Sequence, residues 1–383
     1  MEFIAGTNFS GRSAALMARL RKQAPAFFIG PHAEAALSGL SSTVADEIEI
    51  YRAPKPDREA FAPLDFAAYA ERRPPTLSGG EQVLLAVHCF SLSDYAAIGI
   101  DTALEQLDPD NRHRAISYLT HAESQGISAT LADNRLDRPP GMTVHEVTST
   151  SAEFACDLTA AALLPACQPM AIKVQGLSFR YPGGRDIFRN AGVKLESGHA
   201  YRLIGVNGAG KTTFCKLLAG VLAADAGAIE LDGKPYAPWR TGNRAFAFAT
   251  QNPDHQWCGA TLGEDVTRRR GVLERQGIKV PPDETLAALA ARLGVRSMEQ
   301  HLYELPLVAR KRLSWLWAFS GVMPWIMLDE PTLGQDRTTR DALADAIARL
   351  SGSGYGVVFI THDDDFAARI AHRPLRISDR LIS

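Results

Sequence analysis

One segment in the second half of the chain has the glycines and the lysine of a phosphate-binding loop. The sequence GVNGAGKT, from Gly205 to Thr212, fits the Walker A pattern G-x-x-x-x-G-K-[ST]. Glycines let the backbone wrap closely around phosphates, and the amides of the loop and of the following helix hold the anion. Lys211 would reach the outer phosphates, and the Thr212 hydroxyl would bind Mg²⁺. The residues that we expect to bind a nucleotide here are Gly205, Asn207, Gly208, Ala209, Gly210, Lys211, Thr212 and Thr213.

Acidic residues and a histidine that could act on the phosphates follow later in the sequence. Asp329 ends the apolar run IML and would hold the metal together with Thr212 and Gln251. Glu330 is placed to polarise an attacking water, and a positioned general base contributes about 10²- to 10⁴-fold in rate. His362 follows the run VVFIT and would contact the terminal phosphate. Each residue alone could be a helix-capping acid or a core histidine, but the ordered set predicts hydrolysis of a phosphate bond, with Glu330 and His362 as catalytic residues.

Two residues outside these motifs are also predicted to lie at the nucleotide. Tyr181 is 24 positions before Gly205, at a strand edge before a Pro-Gly turn, and its ring could stack on the base. The alternative for Tyr181 is an ordinary core tyrosine. Gln251 follows the strand-like run AFAFAT and would lie near the metal and the attacking water.

A sheet of parallel strands would bring these residues together. The apolar runs HAYRLIGV, WIMLDEP and YGVVFITH are strand-like, and helical stretches such as LADAIARL lie between them. This alternation predicts an α/β fold, a parallel sheet covered by helices, with the phosphate loop at the carboxyl ends of the strands. The stretch VQGLSFRYPGGRDIF indicates a strand, a turn and a second strand. The run from Trp315 to Leu328 is too short to span a bilayer and predicts a buried helix followed by a buried strand.

The first half of the chain repeats landmarks of the second half. GTNFSGRS, from Gly6 to Ser13, has the frame of the phosphate loop but carries Arg12 where the lysine stands. The segment LSGGEQ begins at Leu77, which is 24 positions before Asp101. In the second half LPLVAR begins the same 24 positions before Asp329. This shared register predicts an internal duplication.

The duplication divides the chain into two domains joined by a linker. We expect the first domain at residues 1–147 and the second at residues 169–383. Residues 148–168 between them are rich in Ser, Thr, Ala and Pro, which is typical of a linker. The first domain is predicted to be truncated, because 71 positions separate its glycine loop from LSGGEQ, against 100 positions in the second half.

The order of the motifs resembles that of the ABC transporter ATPases. The resemblance rests on Tyr181, GVNGAGKTT, Gln251, LDEPT and the pair Thr361-His362. QNPDHQWCGATLGEDV, residues 251–266, is similar to the Q-loop region of the energy-coupling-factor group, whose importers carry vitamins, cobalt or nickel, and STVADEI in the first half echoes it. The resemblance implies two P-loop NTPase nucleotide-binding domains of the ABC type in tandem, the first truncated and degenerate, with ATP and Mg²⁺ as cofactors.

Units of this family pair head to tail, so that each ATP lies between the Walker A loop of one unit and the LSGGQ signature of the other. The first half keeps a signature whose helix start would face an anion: Ser78, Gly79, Gly80 and Glu81. Its departures at the lysine, the glutamate and the histidine are Arg12, Thr102 and Asp133. The second half keeps those groups but has lost the signature, where Pro306, Leu307 and Val308 stand. The resemblance therefore implies intramolecular pairing of the halves, with one hydrolysing composite site and one degenerate site.

Composition and charge limit the partners that the chain can have. The formal net charge is −2, so no nucleic-acid partner is expected. Five scattered cysteines without a Cys-x-x-Cys pair indicate reduced thiols. We expect a cytoplasmic ATPase subunit, peripheral on the inner face of the membrane, that serves integral membrane transporter subunits, a coupling protein and a substrate-binding protein. The alternative is a soluble tandem ABC ATPase that acts on ribosomes or nucleic acid.

Two basic runs lie outside the predicted site. Arg268-Arg269-Arg270 could touch lipid or a membrane partner, and Arg310-Lys311-Arg312 could touch phosphate. Runs of charge most often form solvated helix faces. We therefore expect both runs to face solvent.

Overall fold

A computed structural model describes residues 1–6, 10, 12–23, 25–54, 59–133, 141–147, 156–158, 166–295 and 297–383. The chain divides into two units. Unit 1 comprises Met1–Ser151 and Leu333–Arg337, and unit 2 comprises Ala152–Thr332 and Thr338–Ser383. Of the predicted linker, residues 148–155 and 159–165 lie outside the described residues. Within the ranges given, no helix is both long and apolar enough to cross a bilayer.

Unit 1 contains a five-stranded sheet in which all neighbouring strands are parallel. Its strands are β1 (Glu2–Gly6), β2 (Ala26–Ile29), β3 (Ala97–Asp101), β4 (Ser128–Asp133) and β5 (Thr143–Val147), in the order β2-β3-β4-β1-β5. Its α-helices are α1 (Arg12–Leu20), α2 (Val44–Tyr51), α3 (Gly79–Leu92) and α4 (Pro109–Ser124). Short 3-10 helices occupy Ala33–Ala36, Phe66–Tyr69, Pro74–Thr76 and Ala103–Gln106.

The centre of the unit 1 core is formed by β3 and α3. Every residue of β3 is buried, as in parallel strands that helices cover on both faces. The helix α3 is buried along most of its length and contributes Val83, Leu84 and Phe90 to this core. The last residue of β3, Asp101, consequently lies at the carboxyl edge of the sheet, where a parallel sheet places its ligands.

Unit 2 contains two sheets. Its strands are β6 (Ala171–Arg180), β7 (Asp186–Glu196), β8 (Ala200–Ile204), β9 (Ala226–Leu231), β10 (Lys234–Tyr236), β11 (Phe246–Ala249), β12 (Trp325–Asp329), β13 (Gly356–Ile360), β14 (His372–Ser378) and β15 (Leu381–Ile382). A six-stranded sheet has the order β11-β12-β13-β8-β14-β15 and is parallel except at the pair β14–β15. A four-stranded antiparallel sheet has the order β10-β9-β6-β7.

Among the described residues, seven α-helices lie between these strands along the chain. They are α5 (Lys211–Leu218), α6 (Pro238–Thr241), α7 (Leu262–Arg275), α8 (Asp283–Arg292), α9 (Leu307–Leu313), α10 (Arg337–Gly352) and α11 (Asp364–Ala368). Short 3-10 helices occupy Pro253–Gln256 and Leu302–Glu304. The predicted α/β fold with a parallel sheet is thereby confirmed, and the predicted strand-turn-strand stretch forms β6 and β7.

The helix predicted in the apolar run after α9 is wrong. Residues 314–321 form turns and bends, although Trp315 is buried as expected. The Ser314 hydroxyl donates to the Lys311 carbonyl at 2.6 Å, and the Ser320 hydroxyl donates to the Trp317 carbonyl at 2.9 Å. Such local side-chain bonds compete with the hydrogen bonds that would continue a helix. The buried strand predicted after this segment is present as β12.

The sheet of unit 1 repeats the order of the parallel strands of unit 2, with β2-β3-β4-β1-β5 corresponding to β11-β12-β13-β8-β14. The residue after β3 in unit 1 and the residue after β12 in unit 2 are both left-handed, with a φ of 55° at Thr102 and 45° at Glu330. Their amides donate to the equivalent carbonyls of Ala132, at 2.8 Å, and Ile360, at 2.9 Å. These equivalences support the predicted duplication.

The register of the strands corrects one equivalence drawn from the sequence. Because the two parallel ladders match residue by residue, Asp133 is equivalent to Thr361 and not to His362. Asn134 stands at the position of His362 in the repeat, and it lies outside the described residues. The expectation that Asp133 replaces the histidine was wrong because the two motif spacings differ by one residue.

The echo between STVADEI and the Q-loop region extends to side chains. Thr43 caps the N-terminus of α2, and Thr261 caps the N-terminus of α7. Four residues after each cap, the carboxylates of Glu47 and Asp265 are fully buried. Each carboxylate accepts a backbone N–H from the loop before its helix, at 2.6 and 2.8 Å respectively. A buried carboxylate that ties a helix to its preceding loop is therefore a shared feature of the two units.

Candidate functional site

The phosphate loop connects β8 to α5, where the sequence predicts it. Gly210 has a φ of 106°, and a Cβ atom there would lie 2.5 Å from Cγ2 of Ile187. A Cβ atom at Gly205 would lie 2.9 Å from the carbonyl oxygen of Ile377. Both positions therefore require glycine, because neighbouring strands approach too closely for a Cβ atom. Gly210 also requires it for its backbone conformation.

The tip of the loop is formed by Asn207, Gly208 and Ala209. Gly208 is left-handed, with a φ of 76°, and the Ala209 amide donates to the Val206 carbonyl at 3.1 Å. The Val206 side chain is exposed, so the turn is open to solvent on one side. Since the loop leads directly into α5, the amides of the first helical turn lie at the end of the helix that favours an anion.

Lys211 and Thr212 are the first two residues of α5. The Lys211 ammonium lies over the loop and donates to the carbonyls of Gly205, at 2.7 Å, and Val206, at 3.3 Å. The Thr212 hydroxyl donates to Oδ2 of Asp329 at 2.7 Å. Hydroxyl and carboxylate oxygens are the ligands that Mg²⁺ prefers, so this pair fits the predicted metal site. Burial raises the pKa of Asp329, and the hydrogen bond from Thr212 opposes that rise.

Glu330 and His362 lie next to each other beside this pair. The His362 amide donates to one Glu330 carboxylate oxygen at 3.3 Å, and Nε2 of His362 lies 3.6 Å from the other. Burial, followed by the charge of Asp329, raises the pKa of Glu330, whereas the Lys211 ammonium lowers it. The Glu330 carboxyl group can accept a proton from water once it is ionised, and the positive charge of Lys211 favours that ionised form.

The structure also locates Gln251 and Tyr181. Gln251 comes shortly after the end of β11, and its backbone carbonyl accepts a hydrogen bond from the Lys311 ammonium at 2.8 Å. The Tyr181 hydroxyl lies 3.2 Å from Oγ1 of Thr213, and its ring packs edge-on against Phe179. Tyr181 is 38% exposed, so it is not a core tyrosine, and stacking on a base stays a prediction.

Lys311 is a site residue that sequence reasoning missed, because its basic run was expected to face solvent. Lys311 is 3% exposed and Arg312 is 2% exposed. The Lys311 ammonium donates to the carbonyls of Thr250 and Gln251, both at 2.8 Å, and of Asp329, at 3.0 Å. Burial lowers the pKa of Lys311 to about 8, against the opposing effect of the nearby carboxylates. The signal was available in the apolar residues on both sides of the run, which require one face of the helix to be buried.

The other basic run is only partly solvated. Arg268 is exposed and pairs with Glu264 at 3.3 Å. Arg269 instead pairs with the fully buried carboxylate of Asp265, at 3.0 Å. The expectation of a solvated face is therefore wrong for Arg269, because a buried carboxylate requires a partner for its charge.

The signature segments of the two units begin their helices differently. Ser78 is the N-cap of α3, and it forms a capping box in which its amide donates to the Glu81 carboxylate at 2.7 Å and its hydroxyl accepts from the Glu81 amide at 3.4 Å. Gly79 and Gly80 form the first turn of that helix. In unit 2, α9 follows Pro306, and in the part of the chain that the structure describes no side chain caps it. The first unit thus retains a polar helix start that the second has lost.

Unit 1 has a counterpart of the hydrogen-bonded pair Thr212–Asp329, but it has neither a lysine at the position of Lys211 nor a carboxylate at the position of Glu330. The Ser13 hydroxyl donates to the Asp101 carboxylate, as Thr212 does to its aspartate. Arg12 is 6% exposed and its Nε lies 3.8 Å from Oδ1 of Asp101. Thr102 follows, so this position has no carboxylate to accept a proton. Burial raises the pKa of Asp101, as it does for its counterpart in unit 2.

Several known proteins are similar to this chain. A protein-family model described as ABC transporter matches residues 188–333. The chain is 32% identical over 208 residues to a Streptomyces coelicolor protein named as an ABC transporter ATP-binding protein, a match that covers 52% of this chain and 72% of that protein. It is 30% identical over 202 residues to the energy-coupling factor transporter ATP-binding protein of Thermotoga maritima, which covers 51% of this chain and 74% of that protein.

A third relative carries a more specific name but is matched over less of its length. The chain is 28% identical over 211 residues to a Bacillus subtilis protein named for HMP/thiamine import, which covers 54% of this chain and 37% of that protein. The chain spans little more than a third of the length of several curated relatives that it matches, 36% or 37%.

Proposed function

Because this chain belongs to the family of ABC transporter ATPases, we propose that it binds and hydrolyses ATP to energise a membrane importer. The observation that carries the proposal is the cluster at the end of β12. There the Thr212 hydroxyl and the Asp329 carboxylate are 2.7 Å apart, and Glu330 lies beside them with His362 in contact. Lys211 covers the glycine loop next to this cluster.

In the proposed mechanism the amides of the phosphate loop and the Lys211 ammonium bind the ATP phosphates. A magnesium ion held by Thr212 and Asp329, with Gln251 near it, would neutralise charge on those phosphates. Glu330 accepts a proton from the attacking water in its ionised form, which the charge of the Lys211 ammonium favours and a bound cation would favour further. His362 orients the Glu330 carboxylate through its amide. Its imidazole would contact the terminal phosphate.

We further propose that only one composite site hydrolyses ATP. Its phosphate loop, base and histidine belong to the domain at residues 169–383, and its signature belongs to the degenerate domain at residues 1–147, with residues 148–168 as linker. The support is the division of the motifs: the first domain keeps a capped signature and lacks the base, whereas the second keeps the base and lacks the signature. If the motifs had been lost without the need to keep one working site, the losses would be distributed over both composite sites.

The proposed partners are integral membrane subunits, one for coupling and one for substrate binding, of a vitamin or metal-ion importer. The support is the Q-loop region at residues 251–266, together with relatives named for the energy-coupling factor transporter and for HMP/thiamine import. The chain would then act at the inner face of the membrane through those partners. No nucleic-acid partner is proposed, because the net charge is −2.

The test of this function is ATP hydrolysis by the full chain, alone and in complexes isolated from native membranes. We expect Mg²⁺-dependent release of phosphate, and Thr212→Ala should lower the rate at least about tenfold, since even outer-shell partners of a metal contribute that much. The matched control is Ser13→Ala, which removes the equivalent hydroxyl in unit 1 and should leave the rate within about twofold of wild type. Absence of hydrolysis from both the purified chain and the isolated complex would contradict the proposal.

A further inference from the structure

The buried ammonium of Lys311 joins two segments that carry the predicted metal ligands. Its three donors are matched by three backbone carbonyls, those of Thr250, Gln251 and Asp329, at 2.8, 2.8 and 3.0 Å. An ammonium group has three N–H donors and no acceptor, so this arrangement uses its full capacity. Two of the three carbonyls belong to the residues that we expect to bind Mg²⁺, Gln251 and Asp329.

These carbonyls lie where two neighbouring strands separate. β11 and β12 are parallel and paired up to Ala249 and Leu328. Beyond that pair the chain of β11 turns into the Gln251 segment, and the chain of β12 turns at the left-handed Glu330. Backbone carbonyls at such a place have lost their sheet partner and need another donor when buried. Lys311 supplies that donor from α9, a helix outside the sheet.

We propose that Lys311 is a positioning residue that holds Gln251 and Asp329 in the arrangement that binds Mg²⁺, an inference that rests on the proposed function. It acts on the metal through the backbones of two ligands and does not touch the metal itself. Outer-shell groups that orient metal ligands typically contribute about 10- to 100-fold to metal affinity.

The repeat argues against a purely structural role for this lysine. Lys311 lies six positions after Leu305, and the residue six positions after Leu77 in unit 1 is Val83, which is fully buried in the core. The same fold position therefore accepts an apolar side chain. Burial of an ammonium is costly unless it is paired, and apolar replacement of buried charges is often neutral or stabilising. The charge is retained in the unit that also keeps the complete set of Lys211, Asp329 and Glu330.

The experiment compares Lys311→Met and Lys311→Arg with the wild-type full chain. Binding of Mn²⁺ in the presence of a non-hydrolysable ATP analogue is measured by electron paramagnetic resonance, which needs no turnover. We expect Lys311→Met to weaken Mn²⁺ binding at least about tenfold, while affinity for ATP in excess EDTA changes less than about twofold. The turnover rate should fall and the half-saturating Mg²⁺ concentration should rise together. Lys194→Met, which removes an exposed lysine on β7, is the matched control. It should change neither the Mn²⁺ affinity nor the turnover rate.

The outcomes separate this inference from the proposed function. Wild-type Mn²⁺ affinity in a folded Lys311→Met variant would overturn the positioning role, even if that variant were less stable. Should Lys311→Met fail to fold by circular dichroism, Lys311→Arg decides: its planar guanidinium fits three converging carbonyls poorly, so we expect an intermediate loss of Mn²⁺ affinity. Unchanged affinity in Lys311→Arg would then overturn the inference. A wild-type chain that shows no Mg²⁺-dependent hydrolysis contradicts the proposed function instead.

Discussion

Replacement of Glu330 by glutamine removes the proposed base while it keeps the size of the side chain. We expect ATP turnover to fall by about 10²- to 10⁴-fold, the usual contribution of a positioned general base. Binding of ATP should persist, because the glycine loop, Lys211 and the pair formed by Thr212 and Asp329 are unchanged. The variant should therefore trap bound ATP.

The same substitution should also change how the stability of the metal-free chain depends on pH. Burial and the charge of Asp329 raise the pKa of Glu330 from 4.5 to about 8 in the folded chain. Between these values the unfolded chain loses this proton while the folded chain retains it, so the free energy of unfolding falls as pH rises from about 4.5 to about 8. The full shift corresponds to about 5 kcal/mol. Because the Glu330 side chain is still 12% exposed, we expect a smaller loss of about 2 kcal/mol by pH 8.

Glutamine cannot ionise, so Glu330→Gln should unfold at a higher urea concentration than wild type at pH 8 in EDTA. The difference should shrink as the pH is lowered towards 5. Thr102→Ser, at the equivalent left-handed residue of unit 1, is the matched control and should leave the pH dependence unchanged. Equal pH dependence in wild type and Glu330→Gln would show that the folded chain does not hold this proton. Turnover within about threefold of wild type would refute the role of Glu330 as base.

Two further substitutions test the division of labour between the units. Ser78→Arg should lower ATPase activity nearly as much as Glu330→Gln, about 10²-fold or more, because a bulky cation replaces the signature serine. Pro306→Arg, at the equivalent position of unit 2, is its control. Unchanged activity in Ser78→Arg would refute the composite site. Arg12→Ala should leave steady-state ATP turnover within about twofold of wild type, since Arg12 lies against Asp101 in the unit that lacks a base. If turnover fell more than about tenfold, unit 1 would bind nucleotide productively.

Much of the site could be predicted from the sequence because its parts are short motifs with fixed local geometry. A glycine loop between a strand and a helix, and an aspartate at the end of an apolar strand, follow from patterns within about ten residues. The pairing of Thr212 with Asp329 needed only the rule that parallel strands end at one edge of the sheet. These parts are present in the structure where the motifs predict them.

The errors arose where a long-range contact decides the outcome. The charge of Lys311 favours solvent, and only the fold shows that three carbonyls from two distant segments surround it. Arg269 is likewise drawn inwards by the buried Asp265. The predicted equivalence of Asp133 and His362 was wrong by one residue. Spacing in sequence does not reveal the register between strands, and a difference of one residue changes that register. Sequence patterns thus predicted elements better than the partners of buried charges.

The internal repeat separates what the fold requires from what the chemistry requires. Thr102 adopts the same left-handed conformation as Glu330 and makes the same amide hydrogen bond, although a hydroxyl cannot serve as the base. The left-handed residue after β3 or β12 is therefore a feature of the turn, and its strain, of order 1 kcal/mol, is no evidence for catalysis by itself. The Ser13–Asp101 bond is a shared feature for the same reason. Three groups of unit 2 differ from those of unit 1. Lys211 stands where unit 1 has Arg12, Glu330 where it has Thr102, and Lys311 where it has Val83. The proposed hydrolysis depends on these three groups.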